Sequence, residues 1–176
     1  MTMWVFGYGS LLWNPGFPVA QSVVATLCGY ARSFCMRSIH HRGTSADPGL
    51  VLALDQQTGA VCKGLALAVR DGFEAQTLAM LRERELISSA YLEKDLSVTP
   101  ADGAPVTAVT YVIDAQHAQY CAGLGLEEQA NIIAKAIGQR GPNTEYLYNT
   151  TNHLAEIGLH DPDLEWLATR VRALTA

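Results

Sequence analysis

This chain is short of charge, of basic residues and of long apolar runs. Charged residues make up 16% of it and hydrophobic residues 49%. That balance suits a packed globular protein and excludes a disordered one. The formal net charge is -5, so a basic face for nucleic acid is not expected. No block of like charges suggests an interaction tail. No stretch approaches the roughly 20 apolar residues that cross a bilayer as a helix, and no membrane partner is expected. The start of the chain lacks a positive region followed by an apolar run, so no export signal is read. Cys28, Cys35, Cys62 and Cys121 form no Cys-x-x-Cys pair. They read as reduced, mostly buried thiols of a cytoplasmic protein. The five histidines have no metal-ligand spacing, and the adjacent pair His40-His41 is poorly placed for joint chelation, so no metal site is expected.

What is present is concentrated first in Trp4-Val5-Phe6-Gly7-Tyr8-Gly9-Ser10-Leu11-Leu12-Trp13. Trp4 to Phe6 favour a strand. Gly7 and Gly9 then break the pattern, with the positive φ and close ligand approach open to glycine. A strand running into this turn presents several N–H groups in one concavity, which suits a carboxylate. An ordinary strand-to-loop turn is the alternative. A dinucleotide fingerprint is excluded, because Leu12 stands where a third glycine belongs and Pro15 and Pro18 block the helix. A serine nucleophile elbow is excluded too, because Tyr8 and Leu12 occupy its glycine positions. Ser10 reads as a hydroxyl that donates to a ligand or caps the turn.

The first two-thirds of the chain reads mostly as strands. Ser22–Leu27, Gly29–Ser38, Leu50–Leu54, Val61–Val69, Tyr91–Val98 and Val106–Ile113 are the candidates, with a turn at Gln56-Gln57-Thr58-Gly59. His40 to Gly49 is a polar loop by its turn residues. Phe73–Ile87 is the first helix by composition. Leu126–Ile137 carries Ile132, Ile133, Ala136 and Ile137 on one face. Asn143 is a candidate N-cap for a helix towards Ile157. Asp161-Pro162 starts a last helix with Leu164, Leu167, Val171 and Leu174 on one stripe. No repeat or linker divides the chain, so 1–176 reads as a single domain of the α+β class.

The first helix holds the most informative residue. At roughly 100° per residue, Glu85 falls near the centre of the stripe set by Leu78 and Leu81, whereas Glu83 points the other way. A carboxylate on a buried face is costly when ionised and unpaired. Desolvation raises its pKa, which makes Glu85 a candidate general base. The alternatives are that it pairs with Arg82 or Arg84, or that the helix ends early and leaves it exposed.

These segments together resemble the ChaC-like branch of the γ-glutamylcyclotransferases. Residues 4 to 11 resemble that family's substrate loop. Arg84-Glu85 with Tyr91 resembles its catalytic motif, Asn143-Thr144-Glu145-Tyr146-Leu147 a third segment, and His41-Arg42-Gly43 with Pro48-Gly49 its polar loop. The resemblance implies a mixed β-barrel with flanking helices. It implies an enzyme in which the α-amino group of a γ-glutamyl compound attacks its own γ-carbonyl, closing 5-oxoproline and releasing an amine without water. From glutathione, the favoured substrate, the other product is Cys-Gly. Glu85 is then the catalytic base, and the N–H groups of Gly7, Tyr8, Gly9, Ser10, Leu11 and Leu12 hold the glutamyl group. Tyr146 is a supporting hydroxyl. No metal or cofactor is implied, and the oligomeric state is left open.

The chain departs from glutathione-degrading members in two places. Cys35-Met36-Arg37 stands after Arg32-Ser33-Phe34 where they carry Trp-Gln-Gly, and Ser88-Ser89-Ala90 stands where they have two glycines. The first change raises two alternatives to glutathione: another γ-glutamyl amine or amino acid. A non-catalytic domain that binds γ-glutamyl metabolites is the reading from a different class.

Overall fold

The computed structural model describes residues 1–86 and 89–176. Five strands close a mixed barrel in the order β1-β3-β2-β4-β5. β1 (Trp4–Gly7) runs antiparallel to β3 (Gly49–Val69), with Trp4 opposite Ala68 and Gly7 opposite Leu65. It closes the barrel by pairing parallel with β5 (Val106–Ile113), Trp4 opposite Ala108. β4 (Tyr91–Pro100) is antiparallel to β5 from Tyr91↔Ile113 to Val98↔Val106, and meets β2 (Val19–Ser38) at Ala25↔Pro100. The helices are α1 (Glu74–Glu85), α2 (Leu126–Lys135), α3 (Asn143–Glu156) and α4 (Pro162–Thr175). The expected α+β class and mixed barrel with flanking helices are what the chain adopts.

The chain folds as two compact units. The first comprises residues 1–33 and 53–118. Its core includes Val5, Phe6, Ala66, Leu81, Val98 and Tyr111. The second comprises residues 34–52 and 119–176. There α2, α3 and α4 pack on one another, with Ile133, Leu147, Leu154, Leu164, Leu167 and Val171 buried. No described helix is long and apolar enough to cross a membrane.

Several expectations need correction. Ser22–Leu27 and Gly29–Ser38 are one strand of 20 residues, and the turn expected at Gln56 to Gly59 is the middle of one strand of 21. Gly29 and Gly59 take φ of 86° and 83° without ending either strand. A glycine in a strand can bend it where other residues would stop it. The helix from Leu126 ends at Lys135, because Ala136 turns extended. Ile137, expected on its buried face, is 62% exposed and belongs to a two-residue strand, β6 (Ile137–Gly138), paired with β7 (Gly141–Pro142). The first helix starts one residue after Phe73; its expected end at Ile87, and Ser88, lie outside the described residues. Asp161 caps α4 as expected, its Oδ1 accepting from Leu164 N–H at 3.2 Å. Of the four cysteines only Cys35 and Cys62 are buried; Cys28 is exposed.

Candidate active site

In the first unit the loop after β1 winds into a short 3-10 turn, Ser10–Leu12. Gly7, Tyr8, Gly9, Leu11 and Leu12 are buried and Ser10 is half-buried. Leu12 N–H donates to the Gly9 carbonyl at 3.0 Å, and Trp13 and Asn14 N–H both donate to the Ser10 carbonyl. Leu12 therefore cannot offer its N–H to a ligand, contrary to expectation. The N–H groups of Gly9, Ser10 and Leu11 precede the first bond inside the turn, where a helical turn leaves donors over. Gly9 has φ -135°, and neither Gly7 nor Gly9 is among the glycines with positive φ. The positive φ expected there is absent; Gly9 instead pairs its φ with ψ -118°, outside the α and β regions that other residues favour. Close approach is met instead from the facing strand. A Cβ on Gly64 would collide with the Gly7 carbonyl oxygen, so β3 passes this loop only as glycine.

Two arginines tie the loop down. Arg32 Nη1 donates to the Tyr8 carbonyl at 3.2 Å and to the Lys63 carbonyl at 2.9 Å. Arg84, on α1, donates through Nη2 to Ser10 Oγ at 2.9 Å and through Nη1 to the Asn14 carbonyl at 2.6 Å. Ser10 thus accepts from Arg84; it does not cap the turn, for the N-cap is Gly9 and makes no side-chain bond.

α1 buries the face expected of it only in part, for Leu81 is buried but Leu78 is half-buried and Thr77 takes its place. Thr77 and Leu81 are buried, at 1% and 0% exposure, and the next position along that line is Glu85. Its side chain is 15% exposed, whereas Glu83 is exposed. The carboxylate is not unpartnered: Arg84 Nε lies 3.5 Å from Glu85 Oε1, with Arg84 itself 9% exposed. Of the two arginines proposed as partners, Arg84 takes the role. Arg82 instead makes a two-pronged pair with Glu93 on β4, Nε to Oε1 at 3.0 Å and Nη2 to Oε2 at 2.9 Å. One guanidinium therefore grips both the turn and the carboxylate, and brings Ser10 and Glu85 into one assembly.

A tyrosine links the other side. Tyr111 donates its hydroxyl to Glu93 Oε1 at 2.8 Å, and its carbonyl accepts the Tyr8 hydroxyl at 2.7 Å. Burial, then the Glu93 hydrogen bond and charge, then the charge of Glu85, push the Tyr111 phenol well above its ordinary range. The Arg82 hydrogen bond holds Glu93 below the usual carboxylate range, against the opposing effect of burial.

Tyr146 belongs to the second unit. Its hydroxyl accepts Leu52 N–H at 3.1 Å, and its ring packs edge-on to Phe34 with centroids 6.0 Å apart. One turn earlier, Asn143 is fully buried and exchanges two 2.8 Å bonds with the backbone of Leu50. Asn143 therefore does not cap α3; Pro142 holds that position. Its amide completes the strand instead, as a neighbouring backbone would. A Cβ on Gly49 would collide with the Arg42 carbonyl and crowd Asn143. Arg42, buried at 5% exposure in the otherwise polar loop, donates to the Pro142 carbonyl at 3.0 Å.

A family model described as ChaC-like protein matches residues 3–174. The chain belongs to the ChaC-like family. It is 35% identical over 174 residues to a glutathione-specific gamma-glutamylcyclotransferase of Escherichia coli (strain K12), covering 99% of this chain and 74% of that one. It is 38% identical over 181 residues to gamma-glutamylcyclotransferase 2-1 of Arabidopsis thaliana, covering 98% and 83%. A crystal structure of a γ-glutamyl cyclotransferase specific to glutathione from yeast is similar with a TM-score of 0.88 at 22% identity, covering 98% of this chain and 96% of that one. At that identity the likeness speaks for the fold.

In this ChaC-like chain, helical geometry and the glycine pattern pointed to Glu85 and the loop but missed three residues. Arg84 was named as a possible partner for Glu85 and as part of the Arg84-Glu85 segment, but not as the strut to the turn. Tyr111 stood inside the apolar strand Val-Thr-Ala-Val-Thr-Tyr-Val-Ile, where one aromatic is unremarked. Arg32 has the one usable signal, a cation in the middle of a long strand pattern.

Proposed function

We propose that this chain is a γ-glutamylcyclotransferase acting on glutathione, releasing 5-oxoproline and Cys-Gly. The observation that carries the reading is Glu85, a half-buried carboxylate joined to the Ser10 turn through a single buried guanidinium. The glutathione-specific relatives favour that substrate.

In the reaction the substrate's α-amino nitrogen forms a bond to its γ-carbonyl carbon, and the bond from that carbon to the cysteinyl nitrogen breaks. Internal attack in a well-oriented substrate is worth effective molarities of about 10⁵–10⁸ M. Most of the catalytic task is therefore to hold the glutamyl group curled. N–H groups of Gly9, Ser10 and Leu11 suit its carboxylate, and so does the Ser10 hydroxyl. Gly7, Tyr8 and Leu12 shape the loop. Glu85 takes a proton from the substrate's ammonium, freeing the amine that attacks, and returns it to the leaving nitrogen. Tyr146 has a supporting part through the Leu52 bond that fixes its hydroxyl. Four unbridged thiols suit a reducing, cytoplasmic setting. We also take 1–176 as one working domain, since β2 and β3 each run through both units.

The test is incubation with glutathione and mass spectrometry of the products. Equal amounts of 5-oxoproline and Cys-Gly support the reading. Free glutamate in place of 5-oxoproline overturns it, because water would then be the nucleophile. Cys35-Met36-Arg37, standing where glutathione-degrading members carry Trp-Gln-Gly, favours a second reading in which another γ-glutamyl amine is the better substrate. A higher kcat/KM for that amine than for glutathione would establish it.

A further inference from the structure

The end of β2 makes a short antiparallel contact with the segment before α2, within the second unit. Met36 pairs with Tyr120. Arg37 N–H donates to the Gln119 carbonyl at 2.7 Å, and Cys121 N–H donates to the Cys35 carbonyl at 2.8 Å. The register therefore sets Cys35 directly opposite Cys121. Side chains of directly opposed residues leave the same face of a ladder. Cys35 and Cys121 share one backbone hydrogen bond, and directly opposed residues of an antiparallel contact have Cα atoms roughly 4.5–5.5 Å apart, inside the range of about 4.4–6.8 Å that a disulfide spans. The two sulfurs are not bonded to each other here; Cys35 is buried and Cys121 is half-exposed.

We propose that Cys35 and Cys121 are a redox-active dithiol, a site at which a small-molecule disulfide closes them into an intramolecular disulfide. The accessible Cys121 thiolate attacks one sulfur of the oxidant, forming a mixed disulfide and expelling one thiolate. Cys35 then attacks the Cys121 sulfur and expels the second. The protein gives up two electrons and two protons, and the oxidant leaves as two thiols. Burial raises the Cys121 thiol above its ordinary range, Arg37 opposing and Glu128 adding to it, so the first step accelerates with rising pH. Cys28 is exposed and is blocked first in the test below.

The probe is hydroxyethyl disulfide, which has no γ-glutamyl group, so the outcome does not depend on the activity proposed above. Native protein is treated at pH 8, quenched in acid, and analysed by intact mass and a non-reducing peptide map. The expected product is two hydrogens lighter and contains one linked peptide pair carrying Cys35 and Cys121. Closure should be at least about tenfold faster in native than in urea-unfolded protein, because the fold holds the thiols together. Cys35→Ser should stop at the mixed disulfide on Cys121. Absence of the linked pair in native wild-type protein after Cys28 is fully modified overturns the proposal, whatever the variant does. A linked pair that forms no faster natively than in urea overturns it as well.

Discussion

Two polar assemblies, one in each unit, use their groups in opposite ways. Around Asn143 and Tyr146 a neutral amide and a neutral hydroxyl are bonded to the backbone of Leu50 and Leu52, and the buried guanidinium of Arg42 is held by the Pro142 carbonyl and Glu145. Around Glu85 the groups are charged, half-buried and shared among several partners. The Asn143 amide, buried with both its oxygen and its nitrogen bonded to Leu50, stabilises the fold and has little left for a substrate. A charge kept partly desolvated is costly to fold around, and is retained where it has chemistry to do. On that contrast the α3 clamp supports the fold, and α1 is the helix to test for turnover.

The sharpest break between the two is Glu85→Gln. We expect 5-oxoproline release to fall by at least about 10²-fold, the usual scale for losing a general acid–base. Glu83→Gln, on the exposed side of the same helix, should stay within about twofold of the parent, since general acid–base catalysis needs a group in reach of the substrate. Equal losses in the two variants would remove the distinction between the faces of α1.

Asn143→Ala should do the reverse. It orphans the N–H and the carbonyl of Leu50 together, which should cost roughly 2–4 kcal/mol in a urea titration. The folded fraction should keep the parent's kcat. A stable variant with low kcat would transfer Asn143 from the fold to the chemistry.

Arg84→Lys tests the strut between the turn and the carboxylate. A single ammonium cannot reproduce a planar fork that reaches Ser10, Asn14 and Glu85 at once. We expect kcat/KM to fall about tenfold, equivalent to about 1.4 kcal/mol of transition-state binding, while the urea midpoint changes little. Undiminished kcat/KM would mean the turn holds its shape without Arg84.

The smallest effect is expected at Glu93, whose folded pKa is lowered by Arg82. A depressed carboxylate pKa contributes stability that is full above the unfolded value of about 4.3 and is lost as pH falls through the folded value. Glu93→Gln should therefore be slightly less stable than the parent at pH 7, and the gap should close as the pH is taken below 4. A gap that persists into strong acid would mean that Glu93 acts through packing, not charge.

How much of this was legible beforehand depends on the distance between partners. The inward face of α1 was legible, because helical geometry alone turns Glu85 towards Leu81 and Glu83 away from it. β5 was legible from Val106 to Ile113, bounded by turn residues and rich in branched side chains. Asp161-Pro162 was legible because a cap and its helix are neighbours in the chain.

Asn143 looked like a cap for the same local reason, and tertiary structure overrode it. Its amide found the backbone of Leu50, 93 positions away, which local pattern does not encode. Arg84 and Ser10 are separated by 74 positions, and Tyr8 and Tyr111 by 103. The sequence by itself determined where most strands and helices lie and the buried side of α1, because those follow from periods of two and 3.6 residues, but not that β2 and β3 run on through Gly29 and Gly59 or that α2 stops at Lys135. Only the folded chain decided which guanidinium grips the turn, which carboxylate it meets, and that Cys35 faces Cys121. Each of those depends on where a distant segment arrives, which no short run of residues encodes.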